Sequence, residues 1–286
     1  MSKEWDDLSE LEPVLTEEKP DQNNLMIVDG TNLAFRYIKR HNYNSYKEDY
    51  IRTITSLGKS YKAKKIICCF DSGASEFRKN MFPEYKAHRA ENRTPEEQVI
   101  FDEFFKHLND IISEDFPFDH IRFKGIEADD FMAYCIRKLE SFFDNIWVIS
   151  SDRDIYQLLS EKTHIFNIFS RKEVTIATLL EKYGLTPQEY LMARVIEGDT
   201  GDNINGIAGI GPKRSADLIK THGLLSNLLA KLPLKGKAQY IQNLNKGKDI
   251  LERNEKLMNL TDYNDEIISG SSHYALIQEI INKCKI

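Results

Sequence analysis

The chain has 286 residues, 41% hydrophobic and 29% charged, with a formal net charge of −6. That length can bury a sizeable core, as one large α/β domain or as one domain with a smaller appendage. No apolar run is long enough to span a membrane, and the acidic N-terminus lacks the basic region and apolar core of a signal peptide, so a cytoplasmic protein away from membranes is expected.

Eight acids against two bases in residues 1–24 account for the whole net charge, and beyond them 37 acids face 37 bases. Nine of those 37 acids are the site candidates named below, so the remaining scaffold is basic by nine charges. A basic scaffold around an acidic pocket suits a metal-dependent enzyme acting on a phosphate polymer. The segment Arg36 to Arg93, with 14 bases against six acids, shows this best, although a solvated lysine-rich surface would give the same count. Cys68, Cys69, Cys135 and Cys284 have no paired spacing and read as reduced, partly buried thiols rather than a zinc site.

In chain order, residues 1–24 read as a disordered acidic tail. A first strand is predicted over Leu25–Asp29, followed by a turn at Asp29-Gly30-Thr31-Asn32 and a helix starting over Leu33–Arg40. Helical periodicity returns from Asp49 to Tyr61, and Lys65–Phe70 has the β-branched and apolar character of a buried parallel strand. Residues 72–117 are too long and too charged for a simple crossover and form a functional insertion. Within it Thr94-Pro95-Glu96-Glu97 is a helix start with a capping box, and Val99, Ile100, Phe104, Leu108, Ile111 and Ile112 give that helix one apolar face.

A third strand, His120–Phe123, leads through Gly125 to Glu127-Ala128-Asp129-Asp130 and an amphipathic helix over Phe131–Leu139. A fourth, Ile146–Ser150, leads to Ser151-Asp152-Arg153-Asp154 and another helix. Strands alternating with helices predict an α/β fold with a parallel, doubly wound sheet over about 25–180. From about 181 to 286 the chain reads as an attached, glycine-punctuated helical region.

Four strand-like runs end in an acid: Leu25–Val28 before Asp29, Ile66–Phe70 before Asp71, His120–Ile126 before Glu127 and Ile146–Ser151 before Asp152. In an open α/β sheet such ends line one crevice. Two carboxylates about 4 Å apart repel by roughly 4 kcal/mol at an effective dielectric of 20, a cost that divalent cations remove. Taken singly, an aspartate after a strand is more often a helix cap than a ligand. Capping uses one short acceptor per helix, however, whereas Glu127, Asp129 and Asp130 crowd one turn and Asp152 and Asp154 repeat the excess. Asp199 and Asp202 add a further pair in Gly198-Asp199-Thr200-Gly201-Asp202-Asn203, which lacks the alternate spacing of a calcium loop. An all-oxygen set suits Mg²⁺ or Mn²⁺.

Downstream, Gly206-Ile207-Ala208-Gly209-Ile210-Gly211-Pro212-Lys213-Arg214 can present backbone N–H groups, Lys213 and Arg214 to a phosphate backbone, with a plain interhelical turn as the alternative. In Tyr85-Lys86-Ala87-His88-Arg89 the residues Tyr85, Lys86 and Arg89 share one face if helical. They could then hold a phosphate and stack a base, or simply form a solvated surface.

These motifs, with Val28-Asp29-Gly30-Thr31-Asn32, Phe70-Asp71, Glu84 to Arg89, Gly125 to Asp130, Ser151 to Asp154, Gly198 to Asn203 and Gly209 to Arg214, resemble those of the 5′-nuclease (flap endonuclease) superfamily. The resemblance is to the bacteriophage enzymes and the 5′-nuclease domains of bacterial DNA polymerase I, and it covers about residues 25–260 in order. It implies a structure-specific flap endonuclease and 5′-3′ exonuclease acting on branched or nicked DNA in replication or repair, as a monomer. It also implies a helical arch at 72–117 and a helix–three-turn–helix at about 195–222 that holds duplex DNA, often with a K⁺ ion.

Two Mg²⁺ or Mn²⁺ ions are implied. Asp29, Asp71, Glu127, Asp129 and Asp130 would surround one, and Asp152, Asp154, Asp199 and Asp202 the other. Lys86 and Arg89 would act on the scissile phosphate beside the catalytic acids Asp29, Asp130 and Asp152. DNA contacts would come from Arg36, Tyr85, Lys86, Arg89, Gly209, Gly211, Lys213 and Arg214. Arg153 stands where the family commonly has glycine. A PIN-type ribonuclease and a non-catalytic DNA-structure binder remain the alternatives.

Overall fold

The computed structural model describes residues 22–37, 46–91, 93–112 and 115–285. Most of the acidic segment 1–24, and residues 38–40 of the helix expected from Leu33, lie outside them. Six strands form the main sheet: β1 (Asn24–Asp29), β2 (Ala63–Cys69), β3 (Asp119–Ile121), β4 (Ile146–Ile149), β5 (Thr163–Asn167) and β6 (Lys172–Val174). Their order is β3-β2-β1-β4-β5-β6, parallel throughout except for the antiparallel β5–β6 edge. The strands β5 and β6 were not expected from the sequence.

Alternation along β1 and β2 sorts the side chains onto two faces. Leu25, Ile27, Ile67 and Cys69 join one core, and Met26, Val28, Cys68 and Phe70 the other. The central strand β1 is buried along its whole length, as a parallel strand covered on both faces must be. Each fully buried Leu, Ile or Val contributes about 1.5–3 kcal/mol. All four cysteines are buried and free.

Helices α1 (Gly30–Ala34), α2 (Tyr46–Ser60), α3 (Glu76–Met81), α4 (His88–Glu91), α5 (Pro95–Ile111) and α6 (Ala128–Leu139) connect the first four strands. The second core packs beneath α2 and the C-terminal half of α5. There Phe104, Leu108 and Ile111 are buried, whereas Val99 and Ile100, expected on the same apolar face, are 58% and 46% exposed. The expected cap is present: the Thr94 hydroxyl accepts from the Glu97 N–H, and the Glu97 carboxylate accepts from the Thr94 N–H. Helix α6 carries the first core and starts at Ala128, three residues before the expected Phe131, so that Asp129 and Asp130 fall in its first turn.

The remaining helices are α7 (Ile176–Tyr183), α8 (Pro187–Glu197), α9 (Pro212–His222), α10 (Leu225–Ala230), α11 (Gln239–Asn245), α12 (Lys248–Met258), α13 (Asn264–Ser269) and α14 (Tyr274–Cys284). Between α8 and α9 runs a small antiparallel ribbon, β7 (Gly198–Asp199) with β8 (Ile204–Asn205). Gly198, at φ 75°, and Gly206 are required by this ribbon, because a Cβ on Gly198 would lie 2.3 Å from the Gly206 nitrogen. The buried Asn254 amide of α12 donates to the carbonyls of Val195 and Asn205, tying the ribbon down. Among the described residues no helix is long and apolar enough to cross a membrane.

Candidate active site

The chain runs from β1 to β2 and β3 on one side of the sheet and returns to β4 on the other, so β1 marks the topological switch point. A crevice opens there at the carboxyl ends of the strands. Asp29 ends β1 and caps α1, which begins at Gly30 without the expected intervening turn. Its Oδ1 accepts from the Asn32 N–H at 3.0 Å and its Oδ2 from the Ser150 hydroxyl at 2.8 Å. Asp71 follows β2 and accepts the Ala128 N–H at 2.9 Å, so it caps α6 from across the sheet. Asp152 follows β4 and accepts the Asp154 N–H at 2.9 Å. Asp154 opens a 3₁₀ turn, Asp154–Leu158, where a regular helix was expected. Arg153 beside it is exposed.

Of the other acids, all but Asp129 are held by bases. Glu127, formally the cap of α6, makes no capping bond. Its Oε1 accepts from Lys86 Nζ at 2.5 Å, and its Oε2 from the Tyr85 hydroxyl at 2.9 Å and Arg78 Nη1 at 3.1 Å. Asp202 pairs with Arg89 and lies 3.7 Å from Lys86 Nζ. Asp154 and Asp199 share Arg194, at 3.2 and 2.5 Å.

Asp130 departs from expectation. It is fully buried, and both its oxygens accept from Arg78, at 2.7 and 2.8 Å.

Among the described residues five of the nine carboxylates, Glu127, Asp130, Asp154, Asp199 and Asp202, thus meet four bases, Arg78, Lys86, Arg89 and Arg194. Among the described residues no lysine or arginine pairs with Asp29, Asp71, Asp129 or Asp152. Burial and then the neighbouring Asp71 push the Asp29 carboxyl up to about 8. Burial, then Asp152, Asp29 and Asp71, push Asp129 well above the usual range, which places these four acids within one another's field. Burial and then Asp152 raise Asp154 to about 7 against the pull of Arg194. Burial also disfavours the charge on Glu127, but Lys86 and then Arg78 hold it below the ordinary carboxylate range.

Among the described residues no three of these side chains form a ready ligand cluster. Most of the oxygens have turned to N–H groups, hydroxyls or bases, as repelling anions do. The donor set is all oxygen, and four of its members are in no salt bridge among the described residues, which fits hard divalent cations.

The folded chain therefore holds a proton on Asp29 up to about pH 8, whereas the unfolded chain loses it near 3.9. Folding takes up that proton, so the metal-free protein is expected to lose thermal stability as pH rises from about 5 to about 8. Melting curves in a chelator should show this slope, and Asp29→Asn should make it shallower, with Asp129 and Asp154 supplying the rest.

Tyr85 is 3% exposed and bonded to Glu127 and Asp202, so its ring is not offered to a base as expected. Nor do Tyr85 to Arg89 form one regular helix. Lys86 sits at φ 57° and α4 starts only at His88, yet Lys86 and Arg89 both reach the acids. Arg36 lies 6.0 Å from the Phe169 ring.

In the glycine turn Gly209 takes φ 83° and Gly211 precedes α9, with Pro212 in its first turn. Lys213 is exposed there, while Arg214 donates to the Gly209 carbonyl at 2.6 Å and lies over Tyr240. Sequence reasoning did not find the buried Arg78 or the partly buried Arg194. Arg194 stands five residues before Asp199 at the end of α8, a weak local signal, and Arg78 has none.

A doubly wound sheet with acids at its switch point, joined to a helical region with a glycine turn, defines the class as an α/β nuclease of the 5′-nuclease type. The family model described as 5′-3′ exonuclease, N-terminal resolvase-like domain, matches residues 24–184, and that for the 5′-3′ exonuclease C-terminal SAM fold matches 185–268. The chain is 37% identical to the flap endonuclease of Escherichia phage T5, over 99% of its own length and 96% of that protein. It is 32% identical to the 5′-3′ exonuclease of Buchnera aphidicola subsp. Schizaphis graminum, over 74% of each. A crystal structure of the phage T5 flap endonuclease, in a pseudo-enzyme–product complex with DNA and metal ions, matches with a TM-score of 0.86 at 35% identity. The match covers 92% of this chain and 98% of that one. The chain belongs to the 5′-3′ exonuclease (flap endonuclease) family.

Proposed function

We propose that the chain hydrolyses phosphodiesters near the 5′ end of branched or nicked DNA, leaving a 5′-phosphate and a 3′-hydroxyl. The observation that carries this reading is the group Asp29, Asp71, Asp129 and Asp152, crowded at the sheet's switch point and, among the described residues, in no salt bridge with a lysine or arginine. Asp29, Asp71, Glu127 and Asp129 would hold one divalent ion, Mg²⁺ or Mn²⁺, and Asp152, Asp154, Asp199 and Asp202 a second. When bound, such ions supply an activated water and stabilise the leaving 3′ oxygen.

The chain's own residues do the rest. Lys86 and Arg89 stand over the acids and neutralise charge growing on the scissile phosphate. The turn at Gly209 and Gly211, with exposed Lys213, grips the duplex backbone without reading bases. A K⁺ ion at this turn would share the Gly209 carbonyl with Arg214. The relatives come from a phage and a bacterium, which supports action in a bacterial or phage-infected cytoplasm, and we read the chain as a monomer there.

A labelled 5′-flap duplex, incubated with the chain with and without Mg²⁺, should be cut near the branch only with the ion. Equal cutting in a chelator, or cutting of single-stranded RNA in preference to the flap, would defeat the proposal.

A further inference from the structure

Arg78 belongs to α3, at the root of the insertion, and is only 2% exposed. A guanidinium has five N–H donors, and here four are engaged. Nε donates to the Leu257 carbonyl of α12 at 2.8 Å, Nη1 to Glu127 and Asp130, and Nη2 to Asp130. The two acids are treated differently. Asp130 gives both oxygens to Arg78, and its backbone carbonyl accepts from the buried Asn264 of α13. Glu127 gives Arg78 only its Oε2 edge and presents Oε1 to Lys86, on the side of Asp202.

We propose that Arg78 is a positioning residue that withdraws Asp130 from ion binding and fixes Glu127 with one carboxylate edge turned to the crevice. Of three acids in one turn, Glu127 and Asp129 then serve the ion, and Asp130 is the counter-ion of the residue that orients Glu127. The inference rests on the metal-dependent reading given above. A buried bidentate pair of this kind fixes geometry, and removing one partner strands a charge. Partners that orient metal ligands typically change ion affinity by about 10- to 100-fold when lost.

The test measures Mn²⁺ binding without DNA, by electron paramagnetic resonance of the free ion, beside melting of the metal-free protein. Asp129→Asn is expected to bind Mn²⁺ at least about tenfold more weakly and to melt no lower than wild type, because it loses a ligand and a repulsion together. Asp130→Asn is expected to show the reverse, with binding within about twofold of wild type and a lower melting temperature.

Should that variant not fold, Arg78→Met combined with Asp130→Leu replaces the pair without a stranded charge. This double variant should fold and bind Mn²⁺ about tenfold more weakly, since Glu127 has lost its partner. Arg78→Lys, which keeps the charge, should recover part of that loss.

Weakened binding by Asp130→Asn at an unchanged melting temperature would make Asp130 a ligand and overturn the inference. Wild-type binding by the double variant would leave Arg78 merely structural and do the same. No Mn²⁺ binding by the wild-type chain would instead overturn the reading of the site, and the inference with it.

Discussion

Asp152→Asn is expected to stop cleavage, by about a thousandfold or more, while leaving duplex binding intact. Asp152 is the exposed member of the acid group and has no basic partner among the described residues. Its Oδ1 accepts the Asp154 N–H, a bond that an asparagine oxygen reproduces, so the turn at the end of β4 should keep its shape. What disappears is one negative charge at the place proposed for a divalent ion. A thousandfold loss corresponds to about 4 kcal/mol of barrier, within reach of one misheld ion. Gel shifts in Ca²⁺ beside cleavage in Mg²⁺ separate the two quantities. Cleavage at the wild-type rate would remove Asp152 from the ion site.

Lys86→Ala should lower single-turnover cleavage about a hundredfold, with a much smaller effect on duplex affinity, because a well-placed donor to a developing charge is worth about 3 kcal/mol. Lys86 is placed for that work by the chain itself. Its N–H donates to the Asp202 carbonyl at 3.0 Å, and its side chain spans Glu127 and Asp202, acids that are 75 positions apart in the chain. Alanine removes the one charge among the described residues that touches both. Unchanged turnover would mean that Lys86 merely balances the acids.

Much of the fold was legible because its central strands are short apolar runs with an acid at the end. β1, β2 and β4 fall within one or two residues of expectation for that reason. The capping box at Thr94 was legible because all its partners lie within four residues. What escaped depends on distant chain. β5 and β6 are short and polar at their edges, and they exist as strands because β4 offers β5 a partner and β5 in turn offers one to β6. The ribbon that carries Asp199 and Asp202 rests on the close approach of Gly198 to Gly206.

In the site, the acids and two of their bases, Lys86 and Arg89, could be named from the sequence, whereas Arg78 and Arg194 could not. Arg78 meets Asp130 across 52 residues, and no local pattern marks a basic side chain that will be buried. The Tyr85 to Arg89 motif was sound in its residues but not in its conformation, since a left-handed Lys86 breaks the helix that would have put them on one face.

The boundary between the two family models falls after residue 184, yet Asp199, Asp202 and Arg194 lie beyond it, and Asp29 to Asp154 before it. The unit that can be recognised in sequence is therefore not the unit that can act. A chain cut at that boundary would keep its sheet and seven of the nine acids. It would lose one wall of the crevice, with the partner of Lys86 and Arg89 on that wall. Recombination between relatives that exchanges these halves must therefore preserve a fit between acids from one parent and bases from the other. That constraint explains why two separately recognisable modules would have to travel together.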